Sequence, residues 1–203
     1  MTHALYIWIP RNGGTSIHTR MSEASFVRLK PFGREYHYDK CHFTMIGHHT
    51  LEDALAAGIL KQQRVVIATI RNPWSRMVSL YRYWRGRLGG RLTFKDFVNL
   101  AIDDPQGTTP IKGVVSVGHA SPQYDWITIN GEIPRNLSLI RFEMIQAGWH
   151  TVSEAIGITW KGLSRQNASG EPEDYRVYYD DATLAAIAQR YDRDITIGGY
   201  TFE

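Results

Sequence analysis

The stretch Ala4-Leu5-Tyr6-Ile7-Trp8-Ile9-Pro10-Arg11-Asn12-Gly13-Gly14-Thr15-Ser16 decides how this chain is read. Residues 4–9 are apolar, aromatic and β-branched, the composition of a buried strand. The run ends at Pro10, which has no N–H to give to a sheet ladder. Small residues then make a turn, and a short helix is expected from about Thr15 to Ser22. The chain opens as strand, Gly-rich loop, helix. A second junction of the same kind lies downstream. Residues 64–70 (RVVIATI) form a nearly unbroken apolar run, the pattern of a strand buried on both faces of a parallel sheet. It runs into Arg71-Asn72-Pro73, where Asn72 is a favoured N-cap and Pro73 a favoured first helical residue. The helix that starts there is expected to reach about Trp84.

The remaining signals alternate in the same way. Residues 42–46 (HFTMI) read as a short strand. A helix follows over Thr50–Ala57, with Thr50 as N-cap, Asp53 closing a capping box and Gly58 as the stop. Gly86 to Gly90 break the helix that begins at Pro73, and Thr93 to Ala101 form another with a Thr93/Asp96 box. Residues 103–122 read as a long loop. Asn130-Gly131, between residues 124–129 and 132–133, signals a hairpin. Ser138 to Phe142 read as a strand, and helices are expected near 147–156 and 181–190. The second of these carries Leu184, Ile187, Ala188 and Tyr191 at core-facing spacing. Alternation of this kind specifies an α/β fold, a central mainly parallel sheet flanked by helices, in one domain over residues 1–203.

Composition narrows the class. The chain has 203 residues, of which 43% are hydrophobic and 21% charged, which excludes a fibrous or disordered protein. A single cysteine, Cys41, excludes an internal disulfide and any Cys-based zinc cluster, so a reducing, cytoplasmic compartment is expected. No run of about 18 apolar residues occurs, so no membrane-spanning helix is expected. The Ala4–Ile9 run has neither the basic flank nor the small-residue cleavage site of a signal peptide. The net charge of +3 conceals an asymmetry: residues 1–91 carry 14 Lys/Arg against 5 Asp/Glu (+9), and residues 92–203 carry 9 against 15 (−6). Most of the N-terminal cations are arginines, whose planar fork matches phosphate or sulfate oxygens in pairs. An anionic ligand held mainly by the N-terminal half is one reading; a solvated basic face is the other.

In an open parallel sheet, ligands sit at the carboxyl ends of the strands. At the first junction, Gly13 and Gly14 let a backbone approach an anion. The N–H groups of Gly14 to Ile17 and the hydroxyls of Thr15 and Ser16 are available as donors, with Arg11 at the lip. No Lys precedes Thr15, so this is not a Walker A loop, and a bare GGTS turn also occurs as an ordinary tight turn. At the second junction, Arg71 and Ser79, two helical turns on, are placed to grip another anion. Two such sites imply a ligand with phosphates at both ends of a nucleoside.

Ile9 to Ser16 resembles the I-P-K-x-G-G-T-S loop of the carbohydrate sulfotransferases related to heparan sulfate 2-O-sulfotransferase. Ile70 to Tyr81 resembles the R-x-P-x-x-R-x-x-S-x-Y segment of the same family. Collinear with these are Pro122-Gln123 with Asp125-Trp126, Arg141-Phe142-Glu143, Asn167-Ala168-Ser169, and the tail Tyr191 to Phe202, so the likeness runs through nearly the whole chain. The resemblance implies a P-loop-like sulfotransferase fold. It implies the sulfuryl donor 3′-phosphoadenosine 5′-phosphosulfate (PAPS), the product PAP, a hydroxyl acceptor on a carbohydrate, and no metal. It assigns the 5′-phosphosulfate to Arg11, Asn12, Gly13, Gly14, Thr15, Ser16 and Ile17, and the 3′-phosphate to Arg71 and Ser79. Arg165 and Asn167 are expected to close over the cofactor. Arg11 departs from the family's Lys, and Arg supplies charge but is a poor proton donor, so its expected role is electrostatic.

Sulfuryl transfer to an alcohol also needs a group that takes the hydroxyl proton, and His suits that near neutral pH. In the resembled family a Gly-His-x-Ser/Thr segment carries the base, which aligns with Gly47-His48-His49-Thr50 and designates His48. A pair of loop histidines capping a helix is the plainer reading of the same residues. Glu52 is the alternative base, and His49, His119 and Gln123 are expected at the acceptor. Acceptor pockets are expected from loops 20–40, 86–92 and 103–122. Trp74, Tyr81, Tyr83 and Trp84 have core-packing spacing, and Arg76 fits either a phosphate or an acidic partner. The histidine spacing matches no usual metal-ligand pattern. Two other functions fit parts of the sequence: a P-loop nucleotide kinase or NTPase, disfavoured by the missing Lys, and a non-enzymatic polyanion-binding module. The acidic half argues against a long nucleic acid.

Overall fold

The computed structural model describes residues 1–22, 26–30, 33–62, 65–87, 90, 92–103, 117–164 and 174–203. In chain order the elements are β1 (Thr2–Trp8), α1 (Gly14–Ser22), β2 (Phe26–Lys30), β3 (Gly33–His37), β4 (Cys41–Gly47), α2 (Leu51–Ala56) and β5 (Val65–Ile70). They continue with α3 (Pro73–Arg87), α4 (Phe94–Asp103), α5 (Gln123–Ile127), β6 (Leu137–Arg141), α6 (Ile145–Ile156), α7 (Asp181–Arg190) and α8 (Asp192–Gly198). Two compact units result, Met1–Ile70 with Tyr124–Asn167, and Arg71–Gln123 with Ala168–Glu203.

The first unit is built on a six-stranded sheet ordered β2-β3-β4-β1-β5-β6. The four strands β4, β1, β5 and β6 are parallel, and β2 and β3 extend the sheet antiparallel beyond β4. Ala4, Leu5, Tyr6 and Ile7 are all fully buried, so both faces of the central strand are covered, as a near-continuous apolar run requires. On one face Ala4, Tyr6, Phe43, Met45, Ile67 and Ile140 pack with Ile17 and Met21 of α1 and Trp149, Val152 and Ile156 of α6. Trp149 meets Tyr6 and Phe43 edge-on, at ring-centroid distances of 5.5 and 6.0 Å. The expected α/β architecture, a mainly parallel sheet flanked by helices, is the one observed.

Two sequence expectations are corrected here. Residues 20–40, expected as loop, include the β2–β3 ladder, paired from Phe26↔His37 to Lys30↔Gly33. On β3 only Tyr36 is buried, because this strand lies toward the sheet edge, and the charges of Arg34 and Glu35 hide its period-2 signal. Residues 124–129 are not a hairpin strand. α5 takes Gln123–Ile127, whose buried positions 123, 126 and 127 have helical spacing. The Asn130-Gly131 turn survives with φ of 51° and 76°, closing only the bridge Ile129↔Glu132.

The second unit is helical. α3 starts as expected: the Asn72 side-chain oxygen accepts from the Trp74 and Ser75 N–H groups at 3.0 and 3.3 Å. Its core is aromatic. Trp74, Tyr81 and Trp84 are buried, and Phe94, Tyr179 and Phe202 join them edge-on, with Phe94–Tyr179 at 4.9 Å and Trp74–Phe202 at 5.6 Å. The Thr93/Asp96 box at α4 forms, as does that of Thr50/Asp53 at α2.

Candidate functional site

The parallel register aligns the carboxyl ends of β1 and β4, Trp8 opposite Gly47. The Gly-rich loop leaves β1 at that edge, and His48 leaves β4 beside it. Asn12 is fully buried, and its Nδ2 donates to the Thr69 carbonyl at 2.7 Å, tying the loop to β5. Its side chain therefore anchors the loop. Ile17 is likewise core, and its N–H donates to the Gly13 carbonyl at 3.2 Å, the first helical bond of α1. Gly14, Thr15 and Ser16 make up the first turn of α1, whose N–H groups point out of the helix end. The first turn of α1 carries no acidic residue to cancel its positive end.

Both glycines are required, for different reasons. Gly13 has φ +83°, and a Cβ there would lie 2.7 Å from Ile145 Cδ1 and 3.2 Å from Phe142 Cε2. At Gly14 a Cβ would lie 2.0 Å from Trp8 Nε1, because the indole lies directly against the backbone. Among the described residues, three non-glycines have positive φ: Asn130 in its turn, Arg11 (68°) and His48 (59°). Residues held this way cost on the order of 1–3 kcal/mol and cluster at functional sites.

His48 packs against Trp8, ring centroids 5.6 Å apart, and the Trp8 ring also lies 6.0 Å from that of His18. Burial, and secondarily the charge of His49, hold the His48 imidazole below its ordinary value of 6.5. His48 is the more exposed of the pair; His49 is half-buried and lies 4.0 Å from Asp53. Glu52 is exposed, and its carboxylate accepts from the Asn130 N–H at 2.8 Å. His18 Nδ1 lies 2.8 Å from the Tyr36 hydroxyl and 3.0 Å from that of Ser22.

In the second unit, Arg71 Nε and Nη2 both donate to Ser75 Oγ, at 3.0 and 2.8 Å. Arg71, Ser75 and Ser79 are spaced four residues apart and are each half-exposed along an otherwise largely buried row. α3 also begins without an acidic residue. Gln123, expected at the acceptor, is instead fully buried beneath Arg71: its Oε1 accepts from the Arg71 N–H and its Nε2 donates to the Arg71 carbonyl, both at 2.8 Å. The buried Asp194 carboxylate accepts from the Gln123 backbone N–H at 2.8 Å and from its Nε2 at 3.2 Å. Asn72 Nδ2 donates to the Thr201 carbonyl at 2.8 Å, so the tail holds this junction from both sides. Gln123→Ala is expected to cost about 3 kcal/mol, since the Arg71 N–H and carbonyl lose their side-chain partner and the buried Asp194 carboxylate loses one of its donors. Thermal unfolding checks it.

Arg76 is buried, and the charge of the Asp194 carboxylate acts on it. It donates to the carbonyls of Ser121 (3.0 Å) and His119 (2.7 Å), fixing the turn that carries His119. The His119 ring lies 6.1 Å from that of Trp84. Arg165 and Asn167 lie outside the described residues. Sequence reasoning missed Ser75, Asp194 and Trp8. Asp194 stood in the quoted tail, but a buried carboxylate under a strand end has no local signature. Among the described residues, no group of three or more His, Cys, Asp or Glu is arranged to hold a metal ion, and no helix is long and apolar enough to cross a membrane.

No protein-family model matches the chain, and no curated protein matches it. Among solved structures, mouse sulfotransferase SULT7A1 complexed with PAP superposes with a TM-score of 0.58 at 14% identity, over 98% of this chain and 89% of that one. At this identity the match establishes the fold: the chain has the P-loop-like architecture of a sulfotransferase.

Proposed function

We propose that this chain is a PAPS-dependent sulfotransferase acting on a hydroxyl of a carbohydrate, in a cytoplasmic setting and without a metal. The observation that carries the reading is the shared carboxyl end of β1 and β4, from which a Gly-rich loop and an exposed histidine leave side by side, Arg11 and His48 both with left-handed backbone. The donor set fits a phosphosulfate: a guanidinium, two hydroxyls and a helix N-terminus with no acid in its first turn. PAP in the solved structure of the same fold supports the nucleotide class.

PAPS, when bound, supplies the activated sulfuryl group, whose bond to the 5′-phosphate oxygen breaks as the acceptor oxygen bonds to sulfur. The Gly14–Ser16 N–H groups and the Thr15 and Ser16 hydroxyls hold the 5′-phosphosulfate. Arg11 stabilises charge gathering on the departing phosphate oxygen. Arg71, aimed by Ser75, takes the 3′-phosphate together with Ser79. His48 accepts the acceptor's hydroxyl proton, and its depressed pKa keeps it in the neutral, proton-accepting form at neutral pH. His49 and His119 are assigned to the acceptor side.

The test is a thermal-shift comparison of PAP, adenosine 5′-phosphate, and ATP with Mg²⁺. PAP alone is expected to stabilise the protein strongly, and a preference for ATP with Mg²⁺ would overturn the reading in favour of a kinase. A screen of hydroxyl acceptors with labelled PAPS then identifies the substrate. Arg11→Gly separates charge from backbone: glycine adopts φ +68° without strain, so stability is expected to hold or rise by about 1 kcal/mol. PAP affinity is expected to fall about tenfold or more, as loss of a charge-assisted pair predicts. Unfolding and calorimetric titration read the two effects.

A further inference from the structure

We propose that Trp8 is a positioning residue that holds the Gly-rich loop and His48 in one fixed arrangement at the end of the sheet. The inference rests on the sulfotransferase reading only for the roles of the loop and of His48. Its geometry stands on the residues alone. Trp8 is the last residue of β1 and pairs with Gly47, the residue before His48. The five-membered edge of its indole occupies the space a side chain on Gly14 would take, and its six-membered ring reaches Gly47, whose Cβ would lie 3.9 Å from Cε3. One indole therefore touches both glycines, one in the anion loop and one beside the base. His48 lies against it at 5.6 Å, with ring planes inclined at 39°.

Strand pairing alone does not set the angle between the loop and His48, because both lie beyond the last ladder residues. A rigid bicyclic ring filling the gap does, at little rotamer entropy. The charged and titratable groups facing this assembly are His49 with Asp53 beside His48, and His18 beside the indole, its Nδ1 near the Tyr36 and Ser22 hydroxyls and its pKa lowered by burial and by Arg34. Removing the indole takes away the ring packed against the His48 imidazole, which relieves the desolvation that depresses its proton affinity.

The test uses Trp8→Ala, Trp8→Phe and Gly14→Ala in the full chain, with folding verified by circular dichroism. Trp8→Ala is expected to raise the His48 titration midpoint toward 6.5, read by NMR of the imidazole, and to weaken PAP binding about tenfold. Trp8→Phe keeps a ring against His48 and is expected to restore the midpoint. Gly14→Ala is expected to destabilise the wild-type chain and to be tolerated in the Trp8→Ala background. If Trp8→Ala does not fold, the Trp8→Phe background reads the same coupling, since phenylalanine lacks the Nε1 edge over Gly14. A His48 midpoint unchanged in Trp8→Ala, or an equal Gly14→Ala cost with and without the indole, would overturn the proposal. Failure of the wild-type chain to bind PAP would sink the sulfotransferase reading instead, while the titration and the coupling still decide this one.

Discussion

His48→Asn is expected to lower turnover by about 10²–10⁴-fold while leaving PAP affinity within about twofold, the range that loss of a general base covers. Asparagine is the informative replacement because it tolerates the left-handed backbone that His48 adopts at φ +59°, so folding is preserved. The pH dependence follows from the direction of the shift. Burial, and then the charge of His49, lower the imidazole's pKa below 6.5, so it is neutral and able to accept a proton throughout the neutral range. The wild-type kcat/KM is expected to be flat around pH 7 and to fall below 6.5, and the variant is expected to lose that acid limb. Stability moves with the same sign. The unfolded chain binds this proton at higher pH than the folded one does, so acidification from 6.5 toward the folded midpoint favours unfolding. His48→Asn is expected to flatten that slope. Near-normal turnover would move the base to another group, Glu52 being the alternative already at the same end of the sheet.

Gly14→Ala is expected to destabilise the chain by about 2–3 kcal/mol and to abolish measurable PAP binding. The added methyl would sit 2.0 Å from Trp8 Nε1, well inside contact distance, and both neighbours are held: the indole by His18 and His48, the backbone as the first residue of α1. Something must shift, and the loop is the softer partner. For a chain of this length the loss corresponds to roughly 4–12 °C in Tm. Differential scanning calorimetry and PAP titration check the two halves of the expectation. An unchanged Tm would mean that the indole swings away at little cost.

Much of this was legible locally. The apolar runs 4–9 and 64–70 name the central strands because a strand buried on both faces has no room for polar residues. Thr50, Asn72 and Thr93 mark helix starts because their side chains satisfy N–H groups that the helix leaves open. The β2–β3 ladder was hidden, since a strand near a sheet edge keeps Arg34 and Glu35 partly in water and loses its alternating signature. The 124–129 segment misled because an Asn-Gly turn dictates only its own two residues, whereas the burial of Trp126 and Ile127 made the preceding stretch a helix. At the site, the types Arg11, Gly13, Gly14, His48 and Arg71 could be named from the sequence, but the duties of Asn12, Gln123 and Asp194 could not. Each of these three is buried and works on a partner far along the chain, 57 residues away for Asn12 and 71 for Gln123 and Asp194, which bond each other.

The sequence by itself determined most of the segments that become strands and helices and where two basic strand ends meet small residues, the pattern from which an anionic ligand is expected. Hydrophobic period, capping chemistry and charge are properties of neighbouring residues, so a linear reading recovers them. Only the tertiary structure decided that Gly14 is a glycine on account of Trp8, that Arg71 is held by Gln123 and aimed by Ser75, and that His48 stands next to the loop. Those facts depend on parallel register and on close packing between residues far apart in the chain, where a contact of a few ångströms sets a side chain's role and nothing in its sequence neighbours records it.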